Sequence, residues 1–233
     1  MSLFTGGTVG AGYPRHLRLP GARLGMLGSM AEPRRTRLTP EERRAQLLAL
    51  GVAGLADRPL EALSLEDVSA EAGVSRGLMF YYFGSKQGFH REVVRVAGDS
   101  MLRATEPLTE LPPLERLHDS LTRIVQFVRD HRGTFFSLVR GAASGDKEVR
   151  EIVEGARGVH SARLARLFHD LGVEDSVLFT IALRSWVAFT EETLVAGALD
   201  TDMTIDEIVS FLERSLLAVL TVVDPAAERT LAQ

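Results

Sequence analysis

The chain has 233 residues, 45% of them hydrophobic, which is enough to build the core of one large or two modest domains. It contains no cysteine, so a disulfide framework, a thiolate metal site and a cysteine nucleophile are excluded. Its longest uncharged apolar stretches are shorter than the roughly 20 residues of a membrane-spanning helix, and its first thirty residues lack the apolar run of an export signal. We therefore expect a cytoplasmic protein with no membrane partner.

Charge is unevenly distributed along the chain. Residues 1–103 carry 14 Lys and Arg against 10 Asp and Glu, a net charge of +4, whereas residues 104–233 carry 13 against 21, a net charge of −8. The N-terminal part is therefore the half that could face the phosphates of a nucleic acid.

The composition favours helices over strands. Aromatic residues make up only 6% of the chain, and no segment sustains the alternating pattern of a β-strand. The pattern predicts an all-α protein of about nine helices. We expect no enzymatic activity, cofactor or metal, because the six histidines are scattered and include no His-x-x-x-His pair of the kind that binds zinc.

The two ends of the chain differ in composition from its middle. Residues 1–35 are interrupted by Gly and Pro and have no apolar periodicity, which predicts a disordered leader. Arg34, Arg35 and Arg37 form a basic arm where this leader meets the first helix. Residues 227–233 are expected to form a flexible tail.

The first helix has a clear start. Thr39 is a good N-cap, Pro40 suits the first helical position, and Glu42 can complete a capping box with Thr39. Apolar residues then recur at helical spacing until Pro59 ends the pattern.

Two short helices follow, joined by a tight turn. Ser64 opens a second capping box, and Gly73 supplies the positive φ that closes the helix. Ser75 can cap the next helix, which we expect to end at Phe83. This pattern predicts a helix-turn-helix, in which one helix enters the DNA major groove while the other crosses the backbone.

Longer helices are predicted for the rest of the chain, spanning about residues 85–104, 114–130, 133–143, 146–171, 175–198 and 205–223. The helix over 175–198 is apolar on nearly every face, which predicts burial on all sides. The last helix has two apolar faces, which one chain cannot easily bury. We therefore expect the last two helices to pair with their copies in a homodimer.

The helix-turn-helix also carries a family resemblance. Residues 65–77 read LEDVSAEAGVSRG and residues 80–86 read FYYFGSK. They resemble the DNA-binding region of TetR-family regulators. The usual pattern there is an Ile/Val-Ala-x-x-Ala-Gly-Val-Ser turn, then Tyr-x-x-Phe, then a small residue followed by Lys. The resemblance covers about residues 38–95. It implies a DNA-binding domain over 36–97 and a helical effector-binding and dimerisation domain over 98–226.

Contacts with DNA are expected mainly from the second of the two short helices. Met79 and Phe83 share its inner face, and the outer face offers the base-reading positions. An arginine such as Arg76 that is bidentate to guanine contributes ~1–3 kcal/mol of discrimination. The expected DNA-contacting residues are Ser64, Ser75, Arg76, Gly77, Phe80, Tyr81, Tyr82 and Lys86, with Arg34, Arg35 and Arg37 reaching into a minor groove.

Each of these residues also has a structural interpretation. Tyr81 and Tyr82 could be packing aromatics, Lys86 a solvated charge, and Ser64 only a helix cap. The sequence also departs from the family pattern, since Phe80 stands where tyrosine is common and Leu78 replaces a frequent Ser or Thr. The operator sequence of relatives therefore cannot be transferred to this chain.

The resemblance further implies that a small molecule in the C-terminal helices changes the separation of two recognition helices and relieves repression. The candidate lining residues are Phe127, Phe135, Phe136, His160, Trp186, Phe189 and Thr190, each of which could equally belong to the core. Glu191 and Glu192 could pair with a cationic effector or lie on a solvated face.

The sequence thus predicts a DNA-binding transcriptional regulator, a repressor released from double-stranded operator DNA by an unknown small-molecule effector. The alternative is a DNA-binding or nucleoid-associated protein of the same fold without such an effector. A purely structural helical adaptor would show no salt-dependent DNA binding.

Overall fold

The computed structural model describes residues 38–141 and 145–224, without the side chains of residues 140 and 141. All its regular elements are helical, which confirms the all-α prediction. The nine α-helices of these ranges are α1 (Pro40–Gly54), α2 (Leu65–Ala72), α3 (Arg76–Phe83), α4 (Lys86–Ala104), α5 (Pro113–Asp130), α6 (Arg132–Gly141), α7 (Lys147–His169), α8 (Val177–Thr193) and α9 (Ile205–Val223).

Local sequence signals set the starts of most helices. Thr39 and Glu42 form the expected capping box of α1, and Thr204 and Glu207 form that of α9. The α2 cap is simpler, because the Ser64 side chain accepts a hydrogen bond from the Asp67 N–H without the reciprocal bond of a box. In each case a side-chain oxygen satisfies an N–H group that the first helical turn leaves unpaired.

The N-terminal helices enclose a small core of their own. α1, α2 and α3 pack with the first half of α4 around fully buried side chains, among them Leu47, Leu63, Met79 and Phe89. Met79 and Phe83 are buried as predicted, so α3 is anchored by its inner face. Burial of this kind contributes about 1.5–3 kcal/mol per large apolar side chain.

A second core joins α5, α7, α8 and α9. Its largest fully buried side chains include Phe168, Phe179, Leu183, Ile208 and Leu212. The buried positions on α9 recur at Ile208, Leu212, Leu216 and Leu220, four residues apart, as expected for one face of a helix.

The two cores are not separated by a linker. α4 runs without interruption past residue 97, where the sequence places a domain boundary. Val149 and Val153, from α7, pack into the N-terminal core. α6 begins directly against the end of α1: a Cβ atom on Gly133 would lie 2.0 Å from the carbonyl oxygen of Leu55.

The helical elements differ from the sequence prediction in two places. A 3₁₀ turn, Leu60–Ala62, precedes α2, and the helix expected to reach residue 198 continues beyond Thr193 as a π-helical turn, Leu194–Leu199. The prediction that α8 is buried on all sides is wrong for a single chain. Its residues Val177, Leu178 and Ile181 are exposed, because no element of the described subunit packs over them.

Within residues 38–141 and 145–224, no helix is both long and apolar enough to cross a membrane.

Candidate nucleic-acid interface and internal cavity

α2 and α3 form a helix-turn-helix. Gly73 ends α2 with φ of 64°, a left-handed conformation that glycine adopts without steric cost. Its N–H donates back to α2, and Ser75 then caps α3 by accepting a hydrogen bond from the Leu78 N–H. The turn therefore holds α3 at a defined angle with its N-terminus exposed.

The outer face of α3 presents the residues predicted to read bases. Arg76, Gly77, Phe80 and Tyr81 are all exposed, and Tyr81 has 79% of its surface accessible. The Arg76 guanidinium lies over the Phe80 ring, 5.4 Å from its centre. It also pairs with Glu66 of α2 at 3.1 Å, so a contact with a base would have to replace this exposed ion pair.

Gly77 leaves the backbone of α3 uncovered. A Cβ atom placed there would meet only the Ser75 Oγ atom, 3.8 Å away. The fold itself would therefore tolerate a side chain at this position. The glycine keeps the first turn of α3 accessible to a flat partner surface.

The residues predicted to touch phosphate lie beside this face. Tyr82 is half-buried, with its ring edge-to-face with Tyr81 at 5.3 Å between centres. Lys86 is exposed at the start of α4, and its Nζ donates to the Glu61 carbonyl oxygen at 2.9 Å. Ser64 and Ser75 are both helix caps. Arg34, Arg35 and Arg37 lie outside the described residues.

Residues 73–77 read Gly-Val-Ser-Arg-Gly and so match the Gly-x-Ser-x-Gly pattern of nucleophilic serines. That pattern requires a strained turn between a strand and a helix. Here Ser75 lies between two helices, and its Oγ accepts the Leu78 N–H at 3.2 Å. The serine therefore acts as a helix cap.

A partly open cavity of about 540 Å³ lies in the C-terminal part, lined by residues of α4 to α8 and of the segment between α4 and α5. This volume falls in the range of small-molecule sites. Its apolar wall includes Met101, Leu117, Ile124, Leu164 and Val187.

Four of the seven predicted lining residues reach this cavity: Phe135, His160, Trp186 and Thr190. Phe127 is buried elsewhere, with its ring 4.5 Å from that of His131, and Phe136, which is half-buried, does not line the cavity. Phe189 lies on the outer side of α8, where it contacts Phe211 with 5.7 Å between ring centres. Helical spacing identified apolar faces but did not distinguish a face on the cavity from one on the core or on solvent.

Charged residues also line the cavity, and of these the sequence indicated only Glu191. Arg163 donates to the carbonyl oxygen of Leu102 at 3.0 Å and pairs with Glu106. Glu191 lines the cavity too, but Arg157 Nε shares its N–H between both oxygens of that carboxylate, each 3.0 Å away, and Arg157 Nη2 also donates to it. These bonds raise the pKa of Arg157. Glu192 is exposed and is not part of the wall.

His160 and Trp186 each bring a ring with nitrogen to the cavity wall. Burial, with a smaller effect from Arg163, lowers the pKa of His160 to about 4, so its imidazole is neutral at pH 7. The indole Nε1 of Trp186 donates to Ser215 Oγ of α9 at 3.0 Å. The Trp186 ring is thereby oriented with its apolar surface along the cavity.

A stripe of exposed apolar side chains runs along α8 and α9. It is formed by Leu178, Ile181, Phe189, Phe211 and Val222. The small residues Ser185 and Ala188 are also exposed along α8. Such a continuous apolar face is rarely left in contact with water.

Comparison with known families agrees with this geometry. The family model described as "Bacterial regulatory proteins, tetR family" matches residues 47–93, and the one described as "Tetracyclin repressor-like, C-terminal domain" matches residues 113–219. The chain belongs to the TetR family. The first match contains the whole of α2 and α3, so this TetR-family chain is a transcriptional regulator with a helix-turn-helix DNA-binding domain.

Sequence relatives are also transcriptional regulators by name. The chain is 34% identical over 80 residues to the HTH-type transcriptional repressor KstR2 of Mycolicibacterium smegmatis, an alignment that covers 34% of this chain and only 39% of KstR2. It is 25% identical over 202 residues to the uncharacterised HTH-type transcriptional regulator Rv1255c of Mycobacterium tuberculosis, covering 79% of this chain and 90% of the relative.

Solved structures share the fold. A TetR-family transcriptional regulator from Streptomyces coelicolor superposes with a TM-score of 0.73 and 24% identity, over 84% of this chain and 90% of that one. A TetR-like regulator from Rhodococcus sp. RHA1 gives a TM-score of 0.62 and 22% identity, over 80% and 98% of the two chains. At these identities the likeness shows the architecture alone.

Proposed function

We propose that the protein is a homodimeric transcriptional repressor that leaves its operator when a small molecule occupies the cavity lined by α4 to α8. The name of the relative KstR2 supports repression as the direction of control. Its chromosomal target would place the protein in the cytoplasm.

The course of α4 is the observation that carries this proposal. Near its start, Phe89 and Val93 are fully buried in the core that supports α3. Near its end, Met101 lines the cavity, as does Thr105 just beyond it. A ligand that displaces the cavity wall therefore acts on the same rigid helix that positions the recognition helix. Coupling of this kind is typically ~1–3 kcal/mol, or about 5–150-fold in DNA affinity.

In the proposed complex α3 lies in the major groove. Arg76 exchanges Glu66 for a base edge, and Gly77 allows the backbone to approach the duplex. Tyr82, Lys86 and the N-terminal end of α2 contact phosphates, and the basic arm of Arg34, Arg35 and Arg37 follows a minor groove. Phe80 offers only apolar contact, for example with a thymine methyl group.

The proposed dimer buries the apolar stripe on α8 and α9. Ile181 and Phe189 on one helix, with Phe211 and Val222 on the other, form a self-complementary face of the kind that a two-fold interface requires. Exposed Ser185 and Ala188 would let two helices approach closely at the centre. The arrangement is a four-helix interface.

The proposal is tested first by footprinting on the DNA that flanks the protein's own gene. A thermal-shift screen of metabolites and antibiotics then identifies ligands, and each ligand is titrated against the operator complex. We expect at least one compound to raise the melting temperature and to weaken operator binding by about fivefold or more. Stabilising compounds that all leave operator affinity unchanged would contradict release by an effector and favour the same fold without a sensor.

A further inference from the structure

Three buried hydroxyl groups find no hydrogen-bond partner among the described residues: those of Ser120, Ser161 and Thr190. Two of them, Ser120 on α5 and Thr190 on α8, line the cavity. Only 7% of Thr190 is exposed. Buried polar groups are nearly always paired, so two unpaired hydroxyls on the walls of one cavity indicate partners that belong to a ligand.

The carboxylates of the wall are already neutralised. Glu106 accepts from Arg163, Asp170 from Arg116, and Glu191 from Arg157. A cationic ligand would therefore meet no unpaired carboxylate, and beside each of these pairs it would also face the charge of an arginine. The wall therefore disfavours a cation.

An anion finds no better site. Of the wall arginines, Arg116 and Arg163 are largely buried but engaged with carboxylates, while Arg166 is exposed. His160 adds no charge at pH 7, because burial lowers its pKa to about 4. Transfer of a carboxylate into this largely apolar space would leave the charge poorly solvated.

We infer that the effector is an uncharged, mainly apolar molecule with two separated hydroxyl or carbonyl groups, which hydrogen-bond to Ser120 Oγ and Thr190 Oγ1. Leu117, Ile124, Phe135 and Trp186 would surround its apolar body. The cavity volume of about 540 Å³ fits a drug-sized molecule. This inference rests on the proposed function, because it takes the cavity as the effector site.

Two sets of probes test this inference, and within each set the probes share a carbon skeleton but differ in charge. The linear set is decane-1,10-diol, decanedioate and decane-1,10-diammonium; the compact set is adamantane-1,3-dimethanol, adamantane-1,3-dicarboxylate and adamantane-1,3-bis(methylammonium). Trp186 is the single tryptophan of the chain and lines the cavity, so its fluorescence reports occupancy. We expect the alcohol of at least one set to bind about tenfold more tightly than its charged counterparts at pH 7.5.

Two variants separate a ligand contact from a core residue. Thr190→Val keeps the shape but removes the hydroxyl, and should weaken alcohol binding about 3- to 10-fold. It should also raise the melting temperature of the free protein, because an unpaired buried hydroxyl is lost. Ser120→Ala should likewise weaken alcohol binding. Thr193→Val is the matched control, since its hydroxyl already donates to the Phe189 carbonyl oxygen at 2.9 Å; it should not change alcohol affinity.

The inference is overturned if a carboxylate or an ammonium binds more tightly than its alcohol, or if none of the six probes binds. Unchanged alcohol affinity in both Thr190→Val and Ser120→Ala would also overturn it. Operator binding is measured on the same samples. A charged probe that releases DNA would contradict this inference alone, whereas tight alcohol binding by a protein that binds no operator would contradict only the proposed function.

Discussion

The guanidinium of Arg163 on α7 donates to the backbone carbonyl oxygen of Thr105, 3.2 Å away, directly beyond the last turn of α4. It also donates to the Leu102 carbonyl oxygen at 3.0 Å, and only 8% of its side chain is exposed. Helix ends leave carbonyl groups unpaired, and this arginine satisfies two of them. The end of α4 is therefore fixed to α7 beside the cavity.

Replacing this arginine should loosen that attachment. We expect Arg163→Met to lower the free energy of unfolding by roughly 2 kcal/mol, because the α4 carbonyl groups lose their donor. Ligand binding should then have less effect on DNA affinity. Urea unfolding and operator titrations measure the two effects. Arg166→Met, an exposed neighbour on α7, is the control and should change stability by less than about 0.5 kcal/mol.

Arg76 and Lys86 should respond differently to truncation. Arg76→Ala should relax preference at one base position, at a cost of about 1–3 kcal/mol for the preferred operator. Lys86→Ala should weaken binding to all DNA sequences about equally. It should also reduce the slope of log binding constant against log salt concentration by about one. Selection from random duplexes distinguishes the two. Wild-type selection profiles in both variants would disprove the assignment of α3 as the recognition helix.

The apolar stripe on α8 and α9 should hold the dimer together. Ile181→Asp or Phe189→Asp would bury a carboxylate without a partner at the proposed interface, so we expect monomers at micromolar concentration. Sedimentation velocity measures the change. The control is Val159→Asp, at an exposed apolar position on α7. A monomeric wild-type protein, or an unaltered dimer in both stripe variants, would contradict this interface.

Acidic pH should destabilise the protein partly through His160. The unfolded chain binds a proton near the ordinary histidine pKa of 6.5, whereas the folded chain, with a pKa of about 4, does so only at lower pH. His160 therefore has little effect on the free energy of unfolding above pH 6.5. As the pH falls from there towards 4, proton uptake by the unfolded chain lowers that free energy progressively. Through His160 alone, we expect the free energy of unfolding to fall by roughly 1–2 kcal/mol between pH 7 and pH 5.

His160→Gln should remove that part of the pH dependence. Urea unfolding at pH 7 and pH 5 would show a smaller loss of stability in the variant than in the wild type. The variant keeps every other ionisable group of the chain, including Arg163 beside the ring, so the comparison isolates the imidazole. Equal losses in the two proteins would mean that His160 takes up its proton equally in the folded and unfolded states.

The contact of α6 with α1 should not tolerate a side chain. In Gly133→Ala the new Cβ would lie 2.0 Å from the Leu55 carbonyl oxygen and 2.8 Å from that of Ala56, so the helices must separate. We expect a loss of about 1–3 kcal/mol. Gly155→Ala on α7, where nothing lies within 4 Å, should instead stabilise by up to about 1 kcal/mol. Thermal unfolding should show a lower melting temperature for Gly133→Ala and a higher one for Gly155→Ala. Shifts in the same direction for both variants would contradict this close contact.

Prediction from sequence worked best where the signal was local. The capping residues Thr39 and Thr204, the left-handed Gly73 and the buried pair Met79 and Phe83 all act within one or two turns of their own helix. Their chemistry is complete without knowledge of distant residues. The nine helices and the helix-turn-helix could therefore be predicted from the sequence.

Prediction of the cavity succeeded only in part, for a physical reason. Phe135 and Phe189 have the same apolar character, yet one faces the cavity and the other the outer surface of α8. The periodicity of a helix reveals that a face is apolar but carries no information about what packs against it. Ser120 was missed for the same reason, since it is an ordinary residue within its own helix, and the sequence named Thr190 without indicating that its hydroxyl is unpaired.

The amino-acid sequence by itself determined the helices, their caps and the exposed face of α3, because each depends on residues a few positions apart. Only the tertiary structure decided that Arg163 fixes the end of α4, that the wall carboxylates are paired, and that two hydroxyls face one cavity. These features join residues tens of positions apart, and packing of the whole chain is what brings them together.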